Sequence, residues 1–230
     1  MTVLTGILLG RARPFGLEGR PSGIDKQPVT GAVEVTLTGL QCGDMRDEQG
    51  NPKHHGGPEK AVHHYAFEHY SFWRRTLPGF AFDAPGAFGE NFTTEGMDEQ
   101  SVHVGDIYRV GSAVLQVSQA RQPCVTLNSR FNQARMARQV QDSGLTGWYY
   151  RVLETGTIHT GDRLALLDRP HAGWSLARLL RVLYVDTLDA RQLEAMAGLG
   201  ALAPAWRNLA LKRLASGQVE DWAARLTGAQ

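Results

Sequence analysis

The chain has 230 residues, of which 42% are hydrophobic and 20% are charged, and its formal net charge is +1. This composition is typical of a globular protein with a hydrophobic core, and so small a charge argues against non-specific binding to nucleic acid, which needs many uncompensated basic residues. The N-terminus lacks the basic region of a signal peptide, and no apolar run is long enough to span a membrane. The two cysteines, Cys42 and Cys124, are too distant to suggest a disulfide framework. We therefore expect a soluble, cytoplasmic protein without nucleic-acid or membrane partners.

Up to about residue 170, apolar residues mostly alternate with polar ones, which is typical of β-strands. The start "MTVLTGILLG" predicts a first strand, and "AVEVTLTGL" predicts a half-buried strand with Val33, Val35 and Leu37 on one face. "SVHVGDIYRVGSAVLQVSQ" predicts three short strands with turns at Gly105 and Gly111. "GTIHTGDRLALLD" predicts two more strands around another Gly-Asp turn. Many short strands with glycine turns indicate a barrel or a sandwich.

Two helices are predicted within this β-rich region. "AFEHYSFWRRTL" places aromatic residues about one helical turn apart, directly after the short strand "AVHHY". "NSRFNQARMARQVQDSG" is rich in helix-forming residues and predicts one helix that ends at Gly144.

After about residue 172 the apolar period becomes helical. Ser175 is a suitable N-cap for a helix with an apolar stripe of leucines, and Asp189 is a suitable N-cap for a second helix. A third helix is predicted between Pro204 in its first turn and Gly217 at its end, and "VEDWAARL" predicts a last short helix. The sequence therefore predicts a small helical domain at the C-terminal end.

Five of the eight histidines cluster within "HHGGPEKAVHHYAFEHY". Their spacing does not favour a zinc site, because His64 and His69 are five residues apart and miss the i, i+4 spacing of a helical pair. If "AVHHY" is a strand, His63 and His64 point to opposite faces. We interpret these three histidines as core or solvated residues, whereas His54 and His55 precede a Gly-Gly-Pro sequence in which glycine permits close approach of a ligand to the backbone.

Two other segments carry polar residues that could contact a ligand. "GAFGENFTTEG" contains two glycines beside Glu90, Asn91 and Thr93, and "DKQPV" contains Lys26 just before a predicted strand. An exposed turn explains the first segment as well as a binding site does, whereas an isolated lysine such as Lys26 is usually solvent-facing.

Cys124 lies in "QARQPCVTLNSRF" and has three possible roles. A nucleophile needs a base such as histidine within hydrogen-bond reach, and the neighbouring sequence contains none. A buried thiol would act as a small apolar filler. A single thiolate would suit a soft metal whose other ligands come from a cofactor, and Arg121 would help to keep that thiol ionised. The residues alone leave these alternatives open.

Seven motifs, taken together and in order, resemble those of MOSC-domain proteins, the molybdenum cofactor sulfurase C-terminal-like family. They are "DKQPV", "HHGGPEKAVHHY", "EHYSFW", "PGAFGENF", "VGDIYRVGSAVLQVSQARQPC", "GWYYRVL" and "GDRLAL". They are most similar to the YiiM group, which is linked to resistance against the base analogue 6-N-hydroxylaminopurine. The resemblance runs from about residue 3 to about residue 228.

This resemblance implies a mainly β fold, a MOSC-type twisted β-barrel with interspersed helices over residues 1–170, followed by a small three-helix domain over residues 171–230. It also implies a molybdenum cofactor, molybdopterin-bound molybdenum, with Cys124 as the protein ligand to the metal. The implied cofactor-binding residues are Lys26 at the phosphate, His55, Glu90, Asn91 and Thr93 at the pterin, and Arg121 and Asn128 beside the metal. As an alternative to cofactor binding, Glu90 and Asn128 could only brace loops.

The implied activity is that of an oxidoreductase with Cys124 and Arg121 at the reacting centre. It would remove oxygen from a small-molecule N-hydroxylated base or amidine and release the amine and water. Because the sequence shows neither a cysteine cluster for iron–sulfur nor a flavin motif, we expect electrons from a separate reductase, a flavoprotein. Two alternatives stay open: a protein that carries molybdenum cofactor without reducing anything, and a cofactor-free scaffold whose helical tail recruits a partner.

The segment "GLQCGDMRDEQGNPKHHGG" is longer than the usual spacing between the Gly-Asp and HHGG elements of the family. It contains Cys42, which we expect to be a bystander rather than a second metal ligand. We expect the added residues to leave the barrel intact, whereas the shape of the substrate entrance stays open.

Overall fold

The computed structural model describes residues 2–16 and 19–228. Within these ranges the strands are β1 (Leu4–Leu9), β2 (Arg13–Phe15), β3 (Arg20–Ser22), β4 (Gln27–Pro28), β5 (Val33–Thr36), β6 (Gly39–Cys42), β7 (Met45–Arg46), β8 (Val62–Ala66), β9 (Phe92–Thr94), β10 (Ile107–Val110), β11 (Ala113–Ala120), β12 (Trp148–Glu154), β13 (Gly156–Ile158) and β14 (Ala165–Asp168). The helices are α1 (Pro52–His55), α2 (His69–Thr76), α3 (Thr126–Phe131), α4 (Met136–Ser143), α5 (Leu176–Tyr184), α6 (Ala190–Ala197), α7 (Pro204–Ser216) and α8 (Ala223–Thr227). None of these helices is long and apolar enough to cross a membrane.

The strands are organised around one large curled sheet. Its eight strands lie in the order β14-β10-β11-β12-β8-β9-β1-β4, in which β8 and β9 are parallel and the other neighbours are antiparallel. A four-stranded sheet, β13-β5-β6-β7, and the hairpin β2–β3 complete the β structure. The predicted fold class is confirmed: a mainly β half-barrel with interspersed helices, followed by a small helical domain.

The strand predicted around Val33 and Val35 forms as β5, but it is shorter than expected. It ends at Thr36, which pairs with Gly39 of β6, so that Leu37 lies in the two-residue turn of the hairpin and is exposed. The prediction that Leu37 shares the buried face is therefore wrong. The alternation of apolar and polar residues continues past Thr36 in the sequence. Periodicity alone does not show that Leu37 lies in the turn instead of in the strand.

The segment predicted to hold three strands contains two, β10 and β11. The predicted turn at Gly111 is confirmed: it has φ +54°, and a Cβ there would lie 2.3 Å from the carbonyl oxygen of Thr157. Within this segment, residues 101–104 form no strand. They contribute only an isolated β-bridge between His103 and Ser175. The Asp106 carboxylate accepts a hydrogen bond from the His103 amide at 3.0 Å and holds the chain in a turn there.

The helix predicted to end at Gly144 is two helices, α3 and α4. Asn132 has left-handed backbone angles, with φ 49°, and ends α3 as its C-cap. Asparagine adopts this conformation more readily than most residues. Gly144, also left-handed, ends α4 as predicted.

The predicted boundaries in the helical tail are confirmed. The Ser175 side chain accepts a hydrogen bond from the Arg178 amide at the start of α5, and the Asp189 carboxylate accepts one from the Gln192 amide at the start of α6. α7 starts at Pro204 and ends at Ser216, and the predicted Gly217 follows as its left-handed C-cap.

Two hydrophobic clusters cover different parts of the curled sheet. The larger cluster joins strand residues such as Trp148 and Tyr150 to tail residues such as Leu179 and Trp206, so the tail packs onto the sheet. The smaller cluster contains Tyr65 and unites α2, α3 and α4 with loop residues. Successive residues of a strand point to opposite faces, so β8 faces both clusters. Truncation of a fully buried leucine such as Leu179 to alanine typically lowers the free energy of unfolding by about 2–5 kcal/mol.

Candidate functional site

Cys124 lies in the short loop between β11 and α3 and is partly buried. Its Sγ is 3.9 Å from Nε2 of His55, the last residue of α1. The two residues are 69 positions apart in the chain, so the fold supplies the imidazole that the neighbouring sequence lacks. Sequence reasoning missed this pair; the one local signal was the Gly-Gly-Pro sequence after His55.

The surroundings of Cys124 favour the thiolate. Burial raises the pKa of the thiol, but hydrogen bonds from His55 and Thr126 and the positive charges of His55 and Arg121 outweigh burial and lower the pKa from 9.0 to about 6. The expected contribution of Arg121 is part of this balance. A thiolate at neutral pH can act as a metal ligand or as a nucleophile.

Arg121 follows β11 and is almost fully buried. Its amide donates to the Gly147 carbonyl at 2.9 Å, which fixes its backbone to the start of β12. Within the described residues its Nη1 atom has no hydrogen-bond partner. A buried guanidinium nitrogen without a partner is costly, and guanidinium groups bind carboxylates and phosphates well. Arg121 is therefore the residue best placed to receive an anionic group.

Lys26, the predicted phosphate ligand, forms a buried ion pair with Asp47, and each side chain is 2% exposed. Burial lowers the pKa of Lys26, while the neighbouring Asp47 carboxylate opposes this effect. Asp47 also accepts hydrogen bonds from the Gly10 amide at 2.9 Å and from Asn91 Nδ2 at 3.0 Å. Because an ammonium group has three donors, this pair leaves Lys26 capacity for a phosphate oxygen. Asp47 comes from the longer segment before His54.

Glu90 and Asn91 are buried and hydrogen-bonded to the protein. The Glu90 carboxylate accepts from the amides of Gly86 and Phe88, at 2.7 and 3.1 Å, and from the Tyr70 hydroxyl. Asn91 accepts from the His63 amide at 3.0 Å and donates to the Leu8 carbonyl and to the Asp47 carboxylate. Both residues therefore hold loops and strands in place beside the site.

Thr93 and Asn128 differ in their free hydrogen-bonding capacity. Thr93 lies in β9, is buried, and its hydroxyl has no partner among the described residues. Asn128, in α3, donates to the Leu226 carbonyl at 2.8 Å and accepts from the Ala137 amide at 2.8 Å. The bracing role considered for Asn128 is thus visible in the structure.

His63 is a residue that sequence reasoning assigned to the core. It is buried beside Tyr149, with ring centroids 5.0 Å apart, and its Nε2 atom has no partner within the described residues. Burial lowers the pKa of His63 well below its ordinary value, and the charges of Arg121 and Lys26 lower it further. A neutral imidazole with an unused nitrogen can therefore donate to, or accept from, a ligand here.

The other two histidines are satisfied by the protein, as expected. His64 contacts the Tyr150 and Thr94 hydroxyls at 3.0 and 2.8 Å, and burial lowers its pKa to about 3. His69 contacts Glu99 at 2.7 Å. In residues 2–16 and 19–228 there is no cluster of three or more side chains of the types that bind metals. Cys42 lies in β6, with its Sγ 3.7 Å from the Thr30 carbonyl oxygen.

Residues 51–165 match the MOSC domain, and residues 174–217 match the YiiM-like, 3-alpha helix domain. The chain is 38% identical over 213 residues to Protein YiiM of Escherichia coli, across 92% of both chains. It is 41% identical over 185 residues to a protein of Gibberella moniliformis named Reductase, across 79% of this chain and 32% of that protein. The solved structure of YiiM from Geobacillus stearothermophilus is similar with a TM-score of 0.79 and 33% identity, across 93% of this chain and all of that one. The chain belongs to the MOSC-domain family, in the group that joins the MOSC domain to a YiiM-like three-helix domain.

Proposed function

We propose that the protein is a molybdenum-cofactor-dependent reductase of N-hydroxylated compounds such as hydroxylaminopurine base analogues. The observation that carries this proposal is the position of the Cys124 thiol, whose Sγ lies 3.9 Å from Nε2 of His55 and whose pKa is lowered to about 6 by His55, Arg121 and Thr126 against the upward effect of burial. One thiolate suits a soft metal whose other ligands come from a cofactor. Membership of the MOSC family and the name of the fungal relative support a redox activity.

The residues around Cys124 fit an anionic cofactor. Arg121 Nη1 is buried without a partner in the described part of the chain, and a phosphate or another anionic group would satisfy it. Lys60 donates to the His54 carbonyl; burial lowers its pKa, and the negative charge of Cys124 opposes that effect. The site thus combines one thiolate with positive charge and with polar atoms that the described residues do not satisfy.

In this proposal Cys124 is the protein ligand to molybdenum, and Arg121, Lys26, His55 and Thr93 hold the cofactor. When bound, the cofactor supplies a two-electron redox centre at which the oxygen of the N–O bond is removed. Arg121 donates hydrogen bonds that orient the substrate, and the protein excludes competing reactions. The overall change, R–NHOH + 2 e⁻ + 2 H⁺ → R–NH₂ + H₂O, takes its electrons from a separate reductase, which we expect to be a flavoprotein.

Metal content is the first test. Wild type, Cys124→Ser and the control Cys42→Ser would be purified from a host that makes molybdenum cofactor, and molybdenum and zinc would be measured by mass spectrometry. We expect near-stoichiometric molybdenum in wild type and in Cys42→Ser, and its loss in Cys124→Ser, because serine does not supply a soft thiolate. Zinc, or no metal, in the wild type would contradict the proposal.

Turnover is the second test. The loaded protein would be mixed with reduced methyl viologen as donor and with 6-N-hydroxylaminopurine, and formation of the amine would be followed by chromatography. We expect turnover in wild type and in Cys42→Ser but not in Cys124→Ser. Bound molybdenum without turnover of any N-hydroxylated substrate would favour a cofactor carrier instead.

A further inference from the structure

The C-terminal segment 222–228 contacts the Cys124 loop on both sides of the cysteine. Arg225 Nη1 donates to the Pro123 carbonyl at 2.6 Å, and the Val125 amide donates to the Arg225 carbonyl at 2.8 Å. These groups belong to the two peptide units that flank Cys124. A single residue, 102 positions after Pro123, therefore holds the backbone on either side of the thiol.

Arg225 is itself held in place by other elements. Its Nη2 atom donates to Oε1 of Gln141 in α4 at 2.6 Å, and its guanidinium lies 5.7 Å from the ring centroid of Tyr184. The next residue, Leu226, is buried, and its carbonyl accepts from Asn128 Nδ2 at 2.8 Å. The segment is thus anchored to α3, α4 and the Cys124 loop at once.

Apart from Tyr184, the last residue of α5, the partners of Arg225 and Leu226 lie outside α5, α6 and α7. The match to the 3-alpha helix domain ends at residue 217, before this segment begins. Cys124 itself lies in a loop outside any strand or helix, so the direction of its thiol depends on what fixes the neighbouring peptide groups. In metal sites, groups that orient a ligand without binding the metal typically contribute about 10–100-fold to metal affinity or activity.

We propose that segment 222–228 positions Cys124 for metal ligation, with Arg225 as the positioning residue. Metal ligation by Cys124 rests on the function proposed above, whereas the positioning of the Cys124 loop by Arg225 does not depend on that function. Asn128, which the sequence placed beside the metal, acts in the same way, since it ties α3 to Leu226.

The test compares Arg225→Met, which removes the guanidinium donors, with Arg225→Lys, which keeps the charge and a single donor nitrogen. Arg181→Met is the control, because Arg181 lies on the exposed side of α5 and pairs with Asp186. Hydrogen–deuterium exchange in the cofactor-free full chain measures the protection of segment 122–129 and of α5–α7. Molybdenum retention in the loaded protein is the second readout.

In Arg225→Met we expect exchange in segment 122–129 to become about tenfold faster, with α6 and α7 unchanged. Arg225→Lys should show an intermediate rate, because lysine can reach the Pro123 carbonyl but cannot also hold Gln141. Arg181→Met should match wild type. We expect molybdenum affinity to fall by about 10–100-fold in Arg225→Met.

Unchanged exchange in segment 122–129 would overturn the positioning role, and so would equal acceleration throughout α5–α7, which would indicate a general loss of stability. If Arg225→Met does not fold, Arg225→Lys decides alone: wild-type exchange in segment 122–129 would overturn the proposal. A wild type that never binds molybdenum would contradict the proposed function, while the exchange rates of the cofactor-free chain would still decide the role of Arg225.

Discussion

The buried ion pair of Lys26 and Asp47 allows a quantitative test of what holds the site together. Each side chain is 2% exposed, and Asp47 receives its other hydrogen bonds from neutral donors, among them Asn91. Lys26→Met therefore leaves a buried carboxylate without its cation. Breaking a buried pair from one side typically costs about 3–5 kcal/mol. For a chain of this size that cost corresponds to a fall in melting temperature of about 6–20 °C.

Urea unfolding of Lys26→Met, Asp47→Asn and the double variant measures this coupling. We expect the double variant to lose less free energy of unfolding than the two single losses added together, because neither charge remains unpaired. Arg138→Met is the control: Arg138 pairs with Asp142 on the exposed surface of α4, and its loss should cost at most about 0.5 kcal/mol. A cost for Lys26→Met below about 1 kcal/mol would refute the reasoning, because exposed pairs contribute that much.

Three further outcomes are expected. Against the upward effect of burial, His55, together with Arg121 and Thr126, lowers the pKa of Cys124 to about 6. His55→Asn should therefore raise this pKa, as ultraviolet thiolate absorbance of the cofactor-free protein would show; an unchanged pKa would contradict this. Glu90→Ala leaves the amides of Gly86 and Phe88 without their partner and should lower the free energy of unfolding in urea by about 3 kcal/mol, and a loss under about 1 kcal/mol would contradict its bracing role. Burial raises the pKa of Glu220, but hydrogen bonds from Arg213 and from the Trp222 indole lower this pKa below its ordinary value of 4.5. The contribution of the Glu220 carboxylate to the free energy of unfolding is therefore complete above pH 4.5 and is lost as the pH falls through the pKa of the folded state. Glu220→Gln should flatten the acid limb of the pH–stability curve, and an unchanged acid limb would refute this.

Features determined by neighbouring residues were predictable from the sequence. Ser175 and Asp189 cap their helices, and Pro204 and Gly217 bound α7, because caps and turn residues act within about one turn. Leu37 and Asn132 show the limit of such local signals. The strand end at Thr36 and the left-handed Asn132 depend on pairing and packing with distant residues, which periodicity does not report.

The contacts within the site were not predictable, because they join residues that are distant in the chain. The contacts of Cys124 with His55, of Lys26 with Asp47, and of Pro123 with Arg225 span 69, 21 and 102 positions. The family resemblance named Cys124, His55 and Lys26 but not Asp47 or Arg225, and it did not indicate how these residues contact one another.

Five of the eight residues that the family resemblance assigned to the site fall into two groups with different energetic roles. Glu90, Asn91 and Asn128 use their polar atoms on the protein's own backbone and side chains. Arg121 and Thr93 keep a buried polar atom without a partner in the described chain. Substitution in the first group should lower stability and affect ligand binding only through loop geometry. Substitution in the second group removes an unsatisfied polar atom, which folding does not need. Loss of cofactor with unchanged stability therefore identifies direct contacts, and by that criterion Arg121 is the most informative position after Cys124.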